Sequence, residues 1–201
     1  ALPPLFLTIK EDLNITFTQL GVVVSVYAVG SFVGQYPMGV FADKYSPRWI
    51  LIGGILTVSV AFILMGLIPI YWILVGLALM AGLGDSVFHP ANYVILTASV
   101  ARERSGRAYA FHAFAGFAGF AAAPIMVDAF RVFWNWHIAL IAVGCLGLIM
   151  TLVLISNKDL LISEQKEFHL GQVLPPSGSP TKIMGILEFI KFPPILILFF
   201  F

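Results

Sequence analysis

Five long apolar segments constrain the fold of this chain more than any other feature of its sequence. They cover about residues 17–41, 49–68, 73–100, 108–126 and 134–155. A helix that crosses a bilayer needs about 20 predominantly apolar residues. Because every backbone polar group must be satisfied inside lipid, segments of this length are expected to be α-helices. The sequence therefore predicts an all-α, polytopic membrane helical bundle.

The composition agrees with a membrane protein and excludes several other classes. Hydrophobic residues make up 60% of the 201 positions and charged residues only 10%, whereas soluble domains carry roughly 25% charged residues. The formal net charge of +1 gives no reason to expect a nucleic-acid partner. Cys145 is the single cysteine, so neither a disulfide framework nor a cysteine metal site is expected. Membrane lipid is the predicted surrounding, and no cofactor is predicted.

The chain divides into a helical part and a polar connecting part. Residues 1–155 form the predicted transmembrane bundle, in which residues 1–9 are the end of a truncated first helix and the five long segments are helices 2 to 6. Residues 156–191 are polar, with a proline- and serine-rich centre, and are expected to be a cytoplasmic linker. Residues 192–201 begin another apolar segment, the expected start of a truncated seventh helix. A C-terminal half of the same protein is therefore a predicted partner.

The basic residues of the loops predict the orientation in the membrane. Nine of the 11 Lys and Arg residues lie on one side of the predicted bundle, and only Lys10 and Arg131 lie on the other. The positive-inside rule assigns the richer side to the cytoplasm. We therefore expect a multi-pass protein of the plasma (cytoplasmic) membrane.

A polar stripe interrupts the fourth apolar segment. Asp85, His89 and Asn92 are spaced i, i+4 and i+7, which places them on one face of a continuous helix. Polar residues inside a membrane span are costly and are usually functional. One hypothesis is an Asp85–His89 pair that takes up and releases a proton; the alternative is a fixed hydrogen-bonded pair that joins helices.

Polar residues on neighbouring segments are candidates to line the same solute or proton pathway. Tyr27 and Gln35 lie on the second segment and can offer hydrogen bonds to a solute. His112 lies about one turn into the fifth segment, where capping or packing is the alternative role. His89 and His112 differ in depth and have no third ligand, so no metal site is predicted.

The loop after the second segment carries a motif shared with known transporters. Residues 39–48 resemble the loop between the second and third helices of major facilitator superfamily transporters, Gly-x-x-x-Asp-Arg/Lys-x-Gly-Arg/Lys-Arg/Lys. The matching positions are Gly39, Asp43, Lys44 and Arg48, and the departures are Ser46 and Pro47. The resemblance implies that Asp43 and Arg48 belong to a cytoplasmic charge network that holds one conformation and breaks in the other. An ordinary charged turn is the alternative.

Small residues predict close helix packing and add to the resemblance. Gly30 and Gly34 form the Gly-x-x-x-Gly pattern that lets membrane helices approach closely. The Gly82-x-Gly84 pair with Phe-His-Pro at 88–90, and the run 106–112, look like the fosmidomycin-resistance-type branch of the superfamily. Gly116, Gly119 and Pro124 resemble the glycine–proline motif of the fifth helix in antiporters, but Val127 and Asp128 stand where that motif usually has two glycines. On the fourth helix, Ala78 stands where many proton-coupled members carry an arginine. The glycines and Pro124 are assigned to helix packing.

The resemblance implies both a fold and a function. The fold is the N-terminal six-helix half of a major facilitator protein with its first helix truncated. The function is transmembrane transport of a small organic solute by alternating access, with a proton or another coupling ion; the branch implies proton-coupled efflux, and uptake by a symporter of the same fold is the alternative. A non-transporting membrane sensor or scaffold is a third class. An enzyme is not expected, because the sequence has no recognisable nucleophile–base arrangement or metal-ligand spacing.

Overall fold

The computed structural model describes residues 3–100 and 104–156, apart from the side chains of Asp43, Ala98 and Ser99. Within those ranges the chain is built from helices, and no strand occurs. A short 3-10 turn at Pro3–Leu5 precedes seven α-helices. They are α1 Phe6–Asp12, α2 Phe17–Lys44, α3 Pro47–Leu67, α4 Tyr71–Asp85, α5 Phe88–Ser99, α6 Ser105–Phe133 and α7 Trp136–Ser156.

Five helical stretches are long and apolar enough to cross a membrane. They are Phe17–Ala42, Pro47–Leu67, Tyr71–Thr97, Ser105–Phe133 and Trp136–Ser156. The predicted all-α class is confirmed, and each of the five predicted segments coincides with one of these stretches. The predicted linker beyond residue 156 and the apolar segment 192–201 lie outside the described residues, so their assignment stays a prediction.

The start of α2 follows from its sequence. The spacing Thr16-x-x-Gln19 predicts a capping box, and the box is formed: Thr16 Oγ1 accepts a hydrogen bond from the Gln19 N–H at 3.2 Å, and the Thr16 N–H donates to Gln19 Oε1 at 2.8 Å. Just before this cap, Asn14 adopts a positive φ of 50°, a conformation that asparagine tolerates better than most residues. The charged residues 10–12 form the last turn of α1.

The fourth apolar segment is not one continuous helix. It was expected to run unbroken over residues 73–100, but α4 ends at Asp85 and α5 begins at Phe88. Pro90 supplies the physical reason, because it lacks an N–H for the carbonyl four residues earlier and its ring crowds that carbonyl. The polar stripe is therefore divided between α4 and α5, although Ser86 and Val87 both keep α-helical backbone angles and the two helices together form the span Tyr71–Thr97. Whether the three side chains share one face stays a prediction.

The fifth segment is longer than expected. The sequence predicted a helix over about residues 108–126 that ends before Asp128 and Arg131, but α6 continues to Phe133. Arg131 Nε donates to Asp128 Oδ1 at 2.8 Å within the helix. Because the two charges neutralise each other one turn apart, they are compatible with a helical conformation.

The helices pack unevenly around the middle of the bundle. α3 lies against both α4 and α7, and α2 lies against α4, whereas α6 touches mainly α7 and leaves most of its surface exposed. The buried apolar side chains form two clusters. The first holds Met65, Leu74, Ala81, Trp136 and Leu140 among others, and the second holds Leu51, Val87 and Ala91. Asp85 lies between Ala81 of the first cluster and Val87 of the second.

Candidate functional site

Two glycines bring the backbones of α2 and α4 into contact. A Cβ atom added at Gly30 would lie 2.9 Å from the carbonyl oxygen of Leu79. A Cβ atom added at Gly82 would collide with the carbonyl oxygen of Tyr27 and lie 3.0 Å from the backbone nitrogen of Ser31. Only glycine fits at such distances, as is common where membrane helices cross closely.

A second glycine pair joins α4 to α3. A Cβ atom at Gly54 would lie 2.8 Å from the carbonyl oxygen of Gly84, and one at Gly84 would lie 3.0 Å from the carbonyl oxygen of Gly54. At Gly34 the added atom would lie 2.7 Å from the Cβ of Ser86. The C-terminal turn of α4 is thus held between α2 and α3, and this contact positions the residue that ends it.

Asp85 ends α4 and receives a hydrogen bond from α2. The Ser31 hydroxyl donates to Oδ2 of Asp85 at 2.8 Å. Asp85 is half-buried, as is Tyr27, which lies one turn before Ser31 on α2. The carboxylate is therefore held by a hydroxyl group across a tight helix crossing, about 21 Å along the helix axis from the start of α4.

His89 and Asn92 lie on α5 and do not share these contacts. Within the described residues, no hydrogen bond or ion pair joins Asp85 to His89, so the predicted pair is not formed. The His89 ring is exposed and lies 6.3 Å from the ring of Tyr93, centroid to centroid. Asn92 is half-buried. The break at the end of α4 explains the difference, since Asp85 is fixed by α2 while His89 belongs to the next helix.

His112 on α6 meets α5 through aromatic contacts. The ring of Tyr93 lies 6.4 Å from the His112 ring and 5.8 Å from the Tyr109 ring. The hydroxyl groups of Thr97 and Tyr109 are joined by a hydrogen bond. His112 and Tyr109 are half-buried, whereas Tyr93 and Thr97 are exposed.

Sequence reasoning missed three of these side chains. Ser31, Thr97 and Tyr109 were not singled out, although a signal for two of them was present. Ser31 stands four residues from both Tyr27 and Gln35, and Thr97 stands eight residues, or two steps of four, after His89. Gln35 itself is exposed on α2, one turn beyond Ser31.

The loop motif places Arg48 inside the fold. Arg48 is only 3% exposed, and its Nη2 atom donates hydrogen bonds to the carbonyl oxygens of Leu154 at 2.9 Å and Ile155 at 3.3 Å. Lys44 is exposed at the end of α2. A Cβ atom at Gly39 would make only an ordinary contact, 3.9 Å from Pro90. The side chain of Asp43 lies outside the described part, so the expected network of Asp43 and Arg48 stays a prediction.

Two glycines of α6 have no close neighbour within the described residues. A Cβ atom added at Gly116 or Gly119 would meet no atom within 4 Å. Pro124 lies inside α6 and is exposed. The same described ranges hold no group of three or more His, Cys, Asp or Glu side chains that could bind a metal ion.

Three relatives and one family model relate the chain to known proteins. The "Probable L-galactonate transporter" of Escherichia coli (strain K12) is 25% identical over 173 residues, which cover 83% of this chain and 38% of the relative. The "Probable sulfoacetate transporter SauU" of Cupriavidus necator is 30% identical over 145 residues, which cover 72% of this chain and 34% of the relative. The "Fosmidomycin resistance protein" of E. coli K12 is 31% identical over 99 residues, 49% of this chain and 23% of the relative.

These matches agree on one class of protein. The chain spans well under half the length of each of the three relatives. Two of the three are named as transporters, and none is named as an enzyme. The model of the Major Facilitator Superfamily matches residues 1–201. The chain is therefore an integral, multi-pass membrane protein and belongs to the Major Facilitator Superfamily.

Proposed function

We propose that the complete protein carries a small organic anion across the membrane by alternating access, with a proton bound and released at Asp85. The names of two relatives support the solute class, because L-galactonate and sulfoacetate are both organic anions. The proton role rests on one observation: the Asp85 carboxylate accepts a hydrogen bond from Ser31 across the α2–α4 crossing, in the middle of the span Tyr71–Thr97.

The position of Asp85 is the physical argument for proton transfer. An ionised carboxylate at the centre of a membrane span costs roughly 2.5–3.5 kcal/mol on insertion scales. The hydroxyl group of Ser31 stabilises the ionised form, and protonation removes the charge that it stabilises. Uptake of a proton therefore weakens a contact between α2 and α4, which links protonation to helix movement. His89, four residues further along the chain, is the next titratable group toward the cytoplasmic side.

The other proposed elements complete the transport cycle. We assign the Asp43–Arg48 loop to the cytoplasmic network that stabilises one of the two conformations. The C-terminal half of the protein supplies the opposite wall of the solute pathway, and the plasma membrane is the proposed location. Efflux is the proposed direction, because the chain resembles the fosmidomycin-resistance branch; uptake is the alternative, and the anion class is compatible with both.

Reconstitution of the complete protein tests the proton role of Asp85. Proteoliposomes receive labelled L-galactonate or sulfoacetate under an imposed pH gradient, and separately under equilibrium exchange without a gradient. Asp85→Asn should reduce gradient-driven accumulation to the level of protein-free liposomes and leave exchange in place, because the amide binds no proton. Asp128→Asn, a half-buried carboxylate in α6, is the matched control and should retain both activities.

Two results would contradict the proposal. If Asp85→Asn keeps the full response to the pH gradient, Asp85 is only a hydrogen-bonding residue between helices. If the wild-type protein carries neither anion, the proposed solute class is wrong. The direction is measured separately in intact cells preloaded with labelled anion: faster loss than from cells without the protein indicates efflux, and accumulation against the gradient indicates uptake.

A further inference from the structure

A cluster of hydrogen-bonding aromatic and hydroxyl side chains lies where α5 meets α6. We name it the α5–α6 cluster, and its members are His89, Tyr93, Thr97, Tyr109 and His112. The first three are spaced by four residues and therefore follow one face of α5. The ring of Tyr93 is its centre, with centroid distances of 6.3 Å to His89, 5.8 Å to Tyr109 and 6.4 Å to His112.

The cluster lies on the cytoplasmic side of Asp85 and is separate from it. From His89 to Thr97 it extends about 12 Å along α5, and Thr97 is close to the last residue of that helix. No hydrogen bond or ion pair joins its described side chains to Asp85, which accepts a hydrogen bond from Ser31 on α2. The proposed proton site and the α5–α6 cluster are thus two different groups of side chains.

The exposure of the cluster indicates which environment it faces. Tyr93 is 49% exposed, and His89 and Thr97 are also exposed. Ionisable side chains such as histidine inside membrane spans almost always face the bundle interior or a water-filled cavity, because contact with hydrocarbon leaves their polar atoms without hydrogen bonds. The opposite side of α5 is occupied, since Val87 and Ala91 are buried against α3. The exposed side, which carries the His89 imidazole, therefore borders an aqueous pathway.

The surroundings of the cluster leave space and favour negative charge. Gly116 lies one turn beyond His112 on the same face of α6, and an added Cβ there would meet no atom within 4 Å. Arg104 and Arg107 are exposed at the cytoplasmic end of α6. Over residues 88–112 the sequence carries Arg102, Arg104 and Arg107 against one acidic residue, Glu103. The local field therefore attracts an anion toward the cluster.

On these observations we infer that the α5–α6 cluster is a binding site for the hydroxyl-bearing part of a small hydroxylated organic anion, on the cytoplasmic side of Asp85. Phenol, hydroxyl and imidazole groups donate and accept hydrogen bonds to the solute hydroxyls, and the faces of the aromatic rings pack against its C–H groups. The inference rests on the proposed function for the solute class and separates two tasks: Asp85 binds the proton, and the cluster binds the solute.

Equilibrium exchange in proteoliposomes tests the assignment without any pH gradient. The complete protein is assayed with L-galactonate, which carries several hydroxyl groups, and with sulfoacetate, which carries none. The variants Tyr93→Phe, Tyr109→Phe and His112→Phe each remove the hydrogen-bonding group of one side chain and keep an aromatic ring in its place. We expect KM for L-galactonate to rise about two- to tenfold in each, as the loss of one hydrogen bond implies, while the maximal rate and KM for sulfoacetate change less than twofold.

A matched variant controls for general loss of structure. Tyr71→Phe also removes a tyrosine hydroxyl that makes a hydrogen bond, here to the Gln19 carbonyl at 3.4 Å, but it lies at the outer end of α4. Its KM values should equal those of the wild type.

Failure of this assignment can be told apart from failure of the proposed function. If KM for L-galactonate is unchanged in all three variants while Asp85→Asn abolishes the response to the pH gradient, the cluster only packs α5 against α6. If the wild-type protein carries neither anion, the solute class is refuted and the assignment falls with it.

Discussion

The guanidinium group of Arg48 joins the first turn of α3 to the last turn of α7, because its Nη2 atom donates a hydrogen bond to the carbonyl oxygen of Leu154 at 2.9 Å. A second bond from the same atom reaches the carbonyl of Ile155 at 3.3 Å. The last carbonyl groups of a helix have no partner within the helix and carry partial negative charge. Arg48 therefore caps the C-terminal end of α7.

Removal of this cap should destabilise the protein. A hydrogen bond that involves a charged group contributes about 1.5–3 kcal/mol, and Arg48 is buried, so we expect Arg48→Gln to lower the free energy of unfolding by about 2–3 kcal/mol. The measurement is the Tm of the purified protein in detergent. Arg107→Gln, an exposed arginine at the start of α6, should leave the Tm unchanged. Equal Tm values for the Arg48 and Arg107 variants would contradict the capping role.

The crossing of α2 and α4 predicts very different effects for two glycines of one helix. Gly82→Ala places a methyl group against the carbonyl oxygen of Tyr27, and overpacking of this kind costs about 1–3 kcal/mol. Gly76→Ala, two turns earlier in α4, meets nothing within 4 Å and should be neutral or slightly stabilising. Thermal unfolding of both variants checks the comparison. A Gly82 variant as stable as the Gly76 variant would show that the two backbones do not touch there.

The sequence predicts the helices well because the membrane imposes strong length and composition requirements on them. All five predicted spans agree with helical stretches of the structure, and the capping box at Thr16 is formed as expected. The contacts of the polar stripe could not be predicted in the same way. The spacing of Asp85 and His89 describes an unbroken helix, whereas Pro90 interrupts it and the partner of Asp85 comes from Ser31, 54 positions away in the chain. Long-range pairing of this kind depends on packing rather than on periodicity.

The glycines illustrate the same limit. One pattern of small residues predicts close packing at Gly82 and at Gly116 alike, and only the first has a neighbouring backbone in the described residues. A glycine spacing indicates that helices can approach, but it does not say which helix is present on that side. The sequence did not predict the role of Arg48 at the end of α7 for a related reason. A loop motif gives no information about the helix against which the loop packs.

A double-mutant cycle measures the coupling between Ser31 and Asp85. Ser31→Ala and Asp85→Asn each change a group of the 2.8 Å hydrogen bond, so their effects on the free energy of unfolding should be non-additive. We expect an interaction energy of about 1–2 kcal/mol, within the range for residues in direct contact. The control cycle combines Ser31→Ala with Asp128→Asn on α6, and its effects should add. Additivity in the first cycle would mean that the two side chains do not interact in the folded protein.

Trp136 joins the end of α1 to the start of α7. Its indole N–H donates to Asp12 Oδ2 at 3.1 Å, its ring stacks on His137 with 3.8 Å between centroids, and His137 Nε2 lies 3.7 Å from the same carboxylate oxygen. Trp136 is only 4% exposed, so these contacts hold a buried side chain.

We therefore expect Trp136→Phe to lower the free energy of unfolding by about 0.5–1.5 kcal/mol, because it keeps an aromatic ring but removes the hydrogen bond to Asp12. The matched control is Trp72→Phe, since Trp72 is 76% exposed and its replacement should leave the Tm unchanged. Thermal unfolding of the purified protein in detergent compares the two variants. Equal Tm values for both would show that the bond between Trp136 and Asp12 does not stabilise the fold.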